Sequence, residues 1–314
     1  MLARLQQFIT IGLVLLAALW ATYFVRAGSP AWAAAGALLI LFGYALFLAT
    51  EFVLLWFVNR GDAAPRASVG QLVAAWWNEV LTAPRVFCWR QPFRSNAVPD
   101  FLPTNSGSRG VVFVHGFVCN RGLWNPLMSR LRQLGIPFVA VNLEPVFGSI
   151  DHYADIVDDA VQRVAAATGQ APVLVAHSMG GLAVRAWLDA HQGDDRVHHV
   201  ITIGTPHHGT FLGRFAHTTN SRQMQLKSEW QRQLAAREPV ERLARFTCFY
   251  GHCDNIVFPA SMATLSGADN RHVARCAHVQ MAHHEDVFNE VLRWVSSASS
   301  AVRVSSEPGA IPAR

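Results

Sequence analysis

The 314-residue sequence has a single lysine, Lys227, and five cysteines that form no Cys-x-x-Cys pair. Without paired cysteines there is neither a zinc-finger pattern nor a thiol redox motif, and an odd number of cysteines is typical of a reducing compartment. The formal net charge of +5 is carried almost wholly by arginine, but the sequence has no basic run and no RNA-binding aromatic motif. We therefore expect no nucleic-acid partner, and a basic surface facing a membrane fits this charge better.

Two long stretches lack charged residues, namely residues 8–25 and residues 31–50, and the second stays apolar beyond Glu51. Each is long enough to cross a hydrocarbon layer of about 30 Å as a helix. The connection between them, residues 26–30, is short, so the pattern predicts a two-helix transmembrane anchor over residues 1–60. Two alternatives are a signal peptide for the first stretch and a pair of buried core helices.

The charges beside these stretches predict the orientation of the anchor. Arg4, Arg60 and Arg66 flank its open end, whereas Arg26 alone lies at its tip. The positive-inside tendency then favours a multi-pass protein of the inner (cytoplasmic) membrane whose remaining chain faces the cytoplasm. Glu51, at the rim of the second stretch, is interpreted as an interfacial carboxyl or one paired with a partner group.

Residues 61–108 are predicted to form a linker and an amphipathic strap. Ser68 is a suitable N-cap for a helix in which Leu72 and Trp76 share one face. The aromatic residues of this segment fit either a collar at the lipid headgroups or a strap packed on the following domain. Polar residues break the pattern after Pro84, which favours the strap.

Residues 109–297 alternate short apolar runs with helical patterns. The runs are continuous in apolarity, as in strands buried on both faces, and they lie at 111–114, 138–141, 172–175, 199–203, 246–250 and 273–276. Helices are predicted at 122–134, 153–168, 179–191 and 286–296. This order predicts an α/β fold with a mainly parallel sheet and helices on both faces, and its ligands should bind beyond the carboxyl ends of the strands. The tail, residues 298–314, is predicted to be unfolded.

Ser178 lies in the stretch Ala176-His-Ser-Met-Gly180, between a predicted strand and a predicted helix. A sharp strand-to-helix turn exposes a serine hydroxyl, and small residues two positions before and after it let the strand and helix approach closely. The usual glycine at the first of these positions is replaced by Ala176, which adds only a methyl group. The pattern predicts that Ser178 is a nucleophile.

A second stretch, Val111 to Phe117, ends a predicted strand with His115-Gly116. Backbone N–H groups at such a turn can stabilise the negative oxygen of a tetrahedral intermediate. The predicted donors are the N–H groups of Phe117 and Met179. The alternative is a glycine that serves only a tight turn.

These motifs together resemble the α/β-hydrolase superfamily, in particular bacterial lipases and esterases of the triacylglycerol-lipase type. The matching stretches are FVHGFVCNRGLW (113–124), VLVAHSMGGLAVR (173–185), ITIGTPHHGT (201–210), YGHCDNIVFP (250–259) and AHVQMAHHEDVFNEVLRW (277–294). The resemblance implies an α/β-hydrolase fold and a catalytic order of serine, acid and histidine. Some secreted relatives have a disulfide in this region, so a bond between Cys253 and Cys276, which would imply an oxidising compartment, stays open.

The partners of Ser178 follow from their places after late strands. Asp254 follows the apolar run 246–250 and is predicted to be the acid, whereas Asp269 lies in a turn-like stretch. His278 follows the last predicted strand and is predicted to be the base. His283 and His284 are the alternatives, and the start of the final helix is enough to explain both.

The segment 211–245 is too long for a simple connection and predicts either a cap over an acyl pocket or a structural insertion without gating. Paired histidines occur three times but without an HExxH arrangement, so no metal and no cofactor is expected.

The sequence thus predicts a membrane-anchored serine hydrolase that cleaves carboxylic esters, with acylglycerol-like lipids as substrates. Two alternatives are an acyltransferase that uses the same triad and a non-catalytic scaffold with a hydrolase fold. The sequence does not indicate a protein partner.

Overall fold

The computed structural model describes residues 1–103, 107–215 and 217–296. The tail predicted to be unfolded, residues 298–314, lies outside them. The N-terminal helices are α1 (Leu2–Arg26), α2 (Pro30–Phe42), α3 (Tyr44–Val58), α4 (Val69–Pro84) and α5 (Gln91–Arg94). The helices that follow are α6 (Asn125–Gln133), α7 (Ala154–Thr168), α8 (Met179–Ala190), α9 (Thr219–Gln223), α10 (Glu229–Arg237), α11 (Val240–Leu243), α12 (His278–Met281) and α13 (Glu285–Ser296).

Six strands form one parallel sheet. They are β1 (Val111–Val114), β2 (Phe138–Ala140), β3 (Val173–His177), β4 (His199–Ile203), β5 (Phe246–Tyr250) and β6 (Asp269–His272), in the spatial order β2-β1-β3-β4-β5-β6. Apolar clusters cover both faces: one contains α7 and α8 residues, and the other contains α6 and α13 residues. The predicted parallel sheet with helices on both faces is confirmed.

The sixth strand is not where the sequence predicts it. The prediction used the apolar run 273–276, but β6 is the polar segment Asp269–His272, which pairs with β5. β6 lies at the edge of the sheet and its side chains are exposed or half-buried, so polar residues are tolerated there. Apolarity identifies only strands buried on both faces. The interpretation of Asp269 as a turn residue was therefore wrong, because it begins this strand.

The N-terminal region contains one unbroken helix, α1, that is long and apolar enough to cross a membrane. It satisfies the requirements of a signal sequence as well. The second predicted span is divided into α2 and α3, which are bent by 53°. The bend lies at Gly43, where a Cβ atom would be 2.5 Å from the carbonyl oxygen of Leu39. Two straight spans are therefore not present in the described part of the chain.

The strap packs against the sheet-containing domain and also leaves an exposed apolar face. Ser68 forms the predicted N-cap as part of a capping box with Gln71. The helix does not end at Pro84, because a π-helical segment at Arg85–Arg90 carries it on into α5. A π-helical turn is wider than an α-helical turn and accommodates a proline, which has no backbone N–H to donate. The large apolar residues exposed along the described part of this strap are Val69, Val73, Trp77, Leu81, Trp89 and Phe93.

Candidate active site

The carboxyl ends of β1 and β3 lie side by side, since Val114 pairs with Ala176. The chain passes from β1 outward to β2 and then returns to β3 on the other side of β1. This reversal creates a crevice beyond the strand ends, which is where open α/β sheets bind ligands. His115 follows β1 and Ser178 follows β3, so both residues lie at this crevice.

Ser178 occupies the sharp turn between β3 and α8. Its backbone angles are φ 55° and ψ −130°, a strained conformation for a residue with a side chain. A Cβ on Gly180 would be 2.5 Å from the carbonyl oxygen of Val114, and one on Gly181 would be 2.2 Å from the hydroxyl of Thr205. The two consecutive glycines therefore let α8 start directly against β1 and the loop after β4.

His115 orients the peptide group that precedes Phe117. The N–H of Leu143 donates to His115 Nε2 at 3.0 Å, so Nδ1 carries the proton and donates to the carbonyl of Gly116 at 2.9 Å. Burial lowers the pKa of His115 to about 4, which keeps the ring neutral. In a trans peptide the N–H points away from the carbonyl, so the N–H of Phe117 is turned away from the His115 ring.

The donors predicted for an oxyanion lie on two neighbouring segments, Phe117 in the loop after β1 and Met179 at the start of α8. Among the described residues, neither the N–H of Phe117 nor that of Met179 has a hydrogen-bond partner. Gly116 lies so near Ser178 that a Cβ on it would be 2.7 Å from Ser178 Cβ. Both N–H groups are thus available beside the serine.

Asp254 and His278 are joined directly. His278 Nδ1 lies 3.0 Å from Asp254 Oδ2 and 2.9 Å from Oδ1, and both side chains are buried. The carboxylate also accepts the N–H groups of Ile256 and Val257, which holds it in place. Burial alone would lower the pKa of His278, but the charge of Asp254 and its hydrogen bond outweigh burial and raise that pKa.

The imidazole of His278 lies against the residue that precedes the serine. The rings of His177 and His278 are 4.5 Å apart, and His177 Nε2 is 3.1 Å from the carbonyl oxygen of His278. The hydrogen bonds among the described residues do not include one from the Ser178 hydroxyl to His278. The structure therefore forms the acid–histidine pair and packs its imidazole against the residue that precedes the serine.

The alternative histidines lie elsewhere. His283 is 3.3 Å from the guanidinium of Arg90, and His284 is 3.5 Å from Asp286. Neither contact involves Asp254, so the geometry favours His278 among the three.

Gly204 is a site residue that the sequence interpretation missed. It follows β4 with a φ of +53°, and a Cβ there would be 2.8 Å from Asp254 Oδ2 and 3.1 Å from His278 Nδ1. The quoted stretch ITIGTPHHGT contained the signal, a glycine at a strand end, but its nearness to the acid depends on the fold.

The insertion 211–245 is docked on the helix that follows the serine. Arg185 of α8 donates from Nε to Glu238 at 2.8 Å and from Nη1 to the carbonyl of His207 at 3.0 Å. Both charged side chains are buried. Cys253 and Cys276 are buried free thiols, so the disulfide considered from the sequence is not formed.

The sequence matches the profile of the Alpha/beta hydrolase family over residues 111–300. Among solved structures, the fold is similar to the mature form of Bacillus licheniformis lipase BlEst2, with 18% identity, a TM-score of 0.54, and coverage of 62% of this chain and 94% of that one. It is also similar to Aspergillus fumigatus lipase B, with 20% identity, a TM-score of 0.53, and coverage of 62% of this chain and 55% of the fungal chain. None of the curated proteins has a matching sequence. Because the family profile spans more than half of the chain, the protein belongs to the α/β hydrolase family.

Proposed function

We propose that this protein is a membrane-anchored serine hydrolase that cleaves carboxylic esters through Ser178, His278 and Asp254. The observation that carries the proposal is the buried Asp254–His278 pair, which lies beside a serine held in a strained strand-to-helix turn. A scaffold would need neither the strain nor the buried pair, because both cost stability.

The geometry supports the following steps. His278 takes the proton of Ser178 as the hydroxyl oxygen attacks the ester carbonyl, and Asp254 stabilises the imidazolium. The N–H groups of Phe117 and Met179 donate to the oxyanion. His278 then gives its proton to the leaving alcohol, and water releases the acyl group from Ser178 by the reverse sequence.

A lipid-like substrate, such as an acylglycerol, is proposed from the apolar N-terminal region. α1 is proposed to cross the inner membrane, with the bent α2–α3 pair returning to the same side and the hydrolase domain in the cytoplasm. The first turns of α1 lie against the active-site loop, since Gln6 Nε2 donates to the carbonyl oxygen of Val118 at 3.3 Å. The candidate active site is thus close to the N-terminal end of α1. Both structural neighbours named above are lipases, which supports the same substrate class.

Replacement of the nucleophile tests this proposal. A fluorophosphonate probe should label the detergent-solubilised full chain, and Ser178→Ala should abolish labelling and lower kcat for p-nitrophenyl esters by about 10⁴-fold or more. Activity should extend from short-chain esters to acylglycerols in mixed micelles. Wild-type protein that is neither labelled nor active would contradict the proposed function.

The acid is tested by Asp254→Asn. The raised pKa of His278 means that the imidazole accepts a proton, and the enzyme becomes inactive, at a higher pH than for an ordinary histidine. In a profile of kcat/KM against pH, the midpoint of the acidic limb of the wild type should therefore lie above the ordinary pKa of histidine, which is about 6.5. Asp254→Asn should lower kcat by about 10⁴-fold and move the residual limb to lower pH. An unchanged profile in Asp254→Asn would assign the acid to another residue.

A further inference from the structure

Two buried carboxylates from the N-terminal helices lie directly behind the catalytic histidine. Glu79, on α4, is only 1% exposed. Its Oε1 accepts the N–H of Val279 at 2.9 Å, and its Oε2 accepts the N–H of Gln280 at 3.2 Å. These are the residues that follow His278 in α12. Glu79 therefore fixes the backbone segment that carries the imidazole of His278.

The second carboxylate reaches the same histidine through one intermediate side chain. Glu51, on α3, accepts a hydrogen bond of 2.6 Å from the amide nitrogen of Asn255. The amide oxygen of Asn255 in turn accepts the backbone N–H of His278 at 3.2 Å. Asn255 is the neighbour of Asp254 in the chain. The two loops that supply the histidine and the acid are thus linked to each other and to α3.

The surroundings of these contacts are apolar. Phe52, Leu55 and Ala75 of the two helices pack against Phe258 and Ala277 of the catalytic loops. Burying a carboxylate in such a place is costly, and apolar side chains would hold the helices in place at least as well. Helix packing alone therefore does not explain the two glutamates. Their hydrogen bonds near the imidazole do, since Glu79 accepts two backbone N–H groups and Glu51 accepts the side-chain amide of Asn255.

The titratable groups that face His278 come from four elements. Asp254 follows β5, Glu79 lies on α4 and Glu51 on α3, and all three favour the protonated imidazole. His177 of β3 is a further titratable neighbour, and burial keeps its pKa well below the usual value, so it stays neutral. The nearby thiols of Cys253 and Cys276 are buried, which raises their pKa and keeps them neutral as well. Burial raises the pKa of Glu79 to about 7, against the opposing effect of the Val279 N–H.

We propose that Glu79 and Glu51 are positioning residues for His278, so that the N-terminal helices complete the catalytic site in addition to anchoring it. Glu79 fixes the backbone of the histidine and, in its ionised form, supplies negative charge that stabilises the imidazolium in the transition state. Glu51 fixes the histidine loop relative to the acid loop through Asn255. This inference rests on the proposed function of Ser178, Asp254 and His278.

The test compares variants of the detergent-solubilised full chain on a short-chain p-nitrophenyl ester. Glu79→Gln keeps the size of the side chain but removes the charge and leaves one N–H without an acceptor. We expect kcat to fall by about 10- to 100-fold, the range for a misplaced catalytic group, with KM within about twofold of the wild type. The acidic limb of the kcat/KM profile should move to lower pH, because a neutral amide no longer stabilises the protonated imidazole.

Two further glutamate variants keep the test independent of any folding defect. Glu79→Asp retains the charge, so the acidic limb should return toward the wild-type position even where kcat stays reduced. Glu51→Ala removes the acceptor of Asn255 and should lower kcat without changing KM. The matched control is Tyr44→Phe, which deletes the hydrogen bond from the Tyr44 hydroxyl to the carbonyl of Val80 between neighbouring helices. Its kcat and pH profile should equal those of the wild type.

The outcomes separate the two proposals. Wild-type kcat and an unmoved limb in Glu79→Gln would overturn the positioning role alone. The positioning role would also be overturned if the activity of Glu79→Gln fell only in proportion to the amount of folded protein. In that case the acidic limb of its kcat/KM profile would stay at the wild-type pH. A wild type that is inert to esters and to the fluorophosphonate probe would overturn the proposed function and this inference together.

Discussion

A single added methyl group is the smallest change that probes the acid–histidine pair, and Gly204 is where it can be added. A Cβ there would overlap Asp254 Oδ2, and the positive φ of Gly204 adds backbone strain. Gly204→Ala should therefore lower kcat strongly as the carboxylate is displaced, by about 100-fold for a shift near 1 Å. The measurement is kcat for a p-nitrophenyl ester.

Gly169→Ala is the matched control for that change. Gly169 has a φ of +68°, and a Cβ there would have no neighbour within 4 Å. The control should lose about 1–2 kcal/mol of stability through backbone strain, with kcat unchanged. Equal losses of kcat in both variants would show that strain, and not contact with Asp254, explains the effect.

Residue by residue, the sequence was informative where a candidate residue follows a buried strand. Ser178 and Asp254 were predicted from apolar runs that form β3 and β5, whereas the run 273–276 used to predict His278 is not a strand. The fold nevertheless brings His278 into contact with Asp254 beyond the carboxyl ends of the strands. Glu79 could not be found this way, since a glutamate in an amphipathic helix resembles a solvent-exposed residue. Its hydrogen bonds are to residues 200 and 201 positions away in the chain.

At the scale of elements, five of the six strands were predictable because their side chains are buried and continuously apolar, including β2 at one edge of the sheet. β6 was not, since its side chains are exposed or half-buried and show no continuous apolarity. The bend between α2 and α3 was missed for a different reason: the apolar composition of residues 31–50 is compatible with a straight or a bent helix. Only the backbone geometry at Gly43 separates the two.

The buried pair between Arg185 of α8 and Glu238 of the insertion gives a prediction about how these elements hold together. Arg185→Ala leaves the Glu238 carboxylate buried without its partner, which should lower the free energy of unfolding by about 3–5 kcal/mol. Arg237→Ala removes the comparatively exposed pair with Asp189 and should cost about 1 kcal/mol or less. Denaturant unfolding of the detergent-solubilised full chain measures both. An insertion that opens as a free lid would make the two costs alike.

At the scale of the whole molecule, the proposed orientation in the membrane can be tested directly with the protein's own cysteines. Cys88 is exposed, whereas the other four cysteines are buried. With the hydrolase domain in the cytoplasm, a membrane-impermeant maleimide should label Cys88 in inverted inner-membrane vesicles and not in intact spheroplasts. Cys88→Ser should remove labelling in both. Labelling of intact spheroplasts would place the domain on the outer side.

The contacts of Glu79 have a consequence for how such a protein can change over time. Exchange of residues 1–94 for an unrelated membrane helix would leave the N–H groups of Val279 and Gln280 without acceptors, next to an apolar gap. Domain shuffling between relatives would then disable the enzyme even though every catalytic side chain was retained. If Glu79 positions His278 as proposed, we expect the N-terminal helices and the hydrolase domain to diverge only as one unit of inheritance.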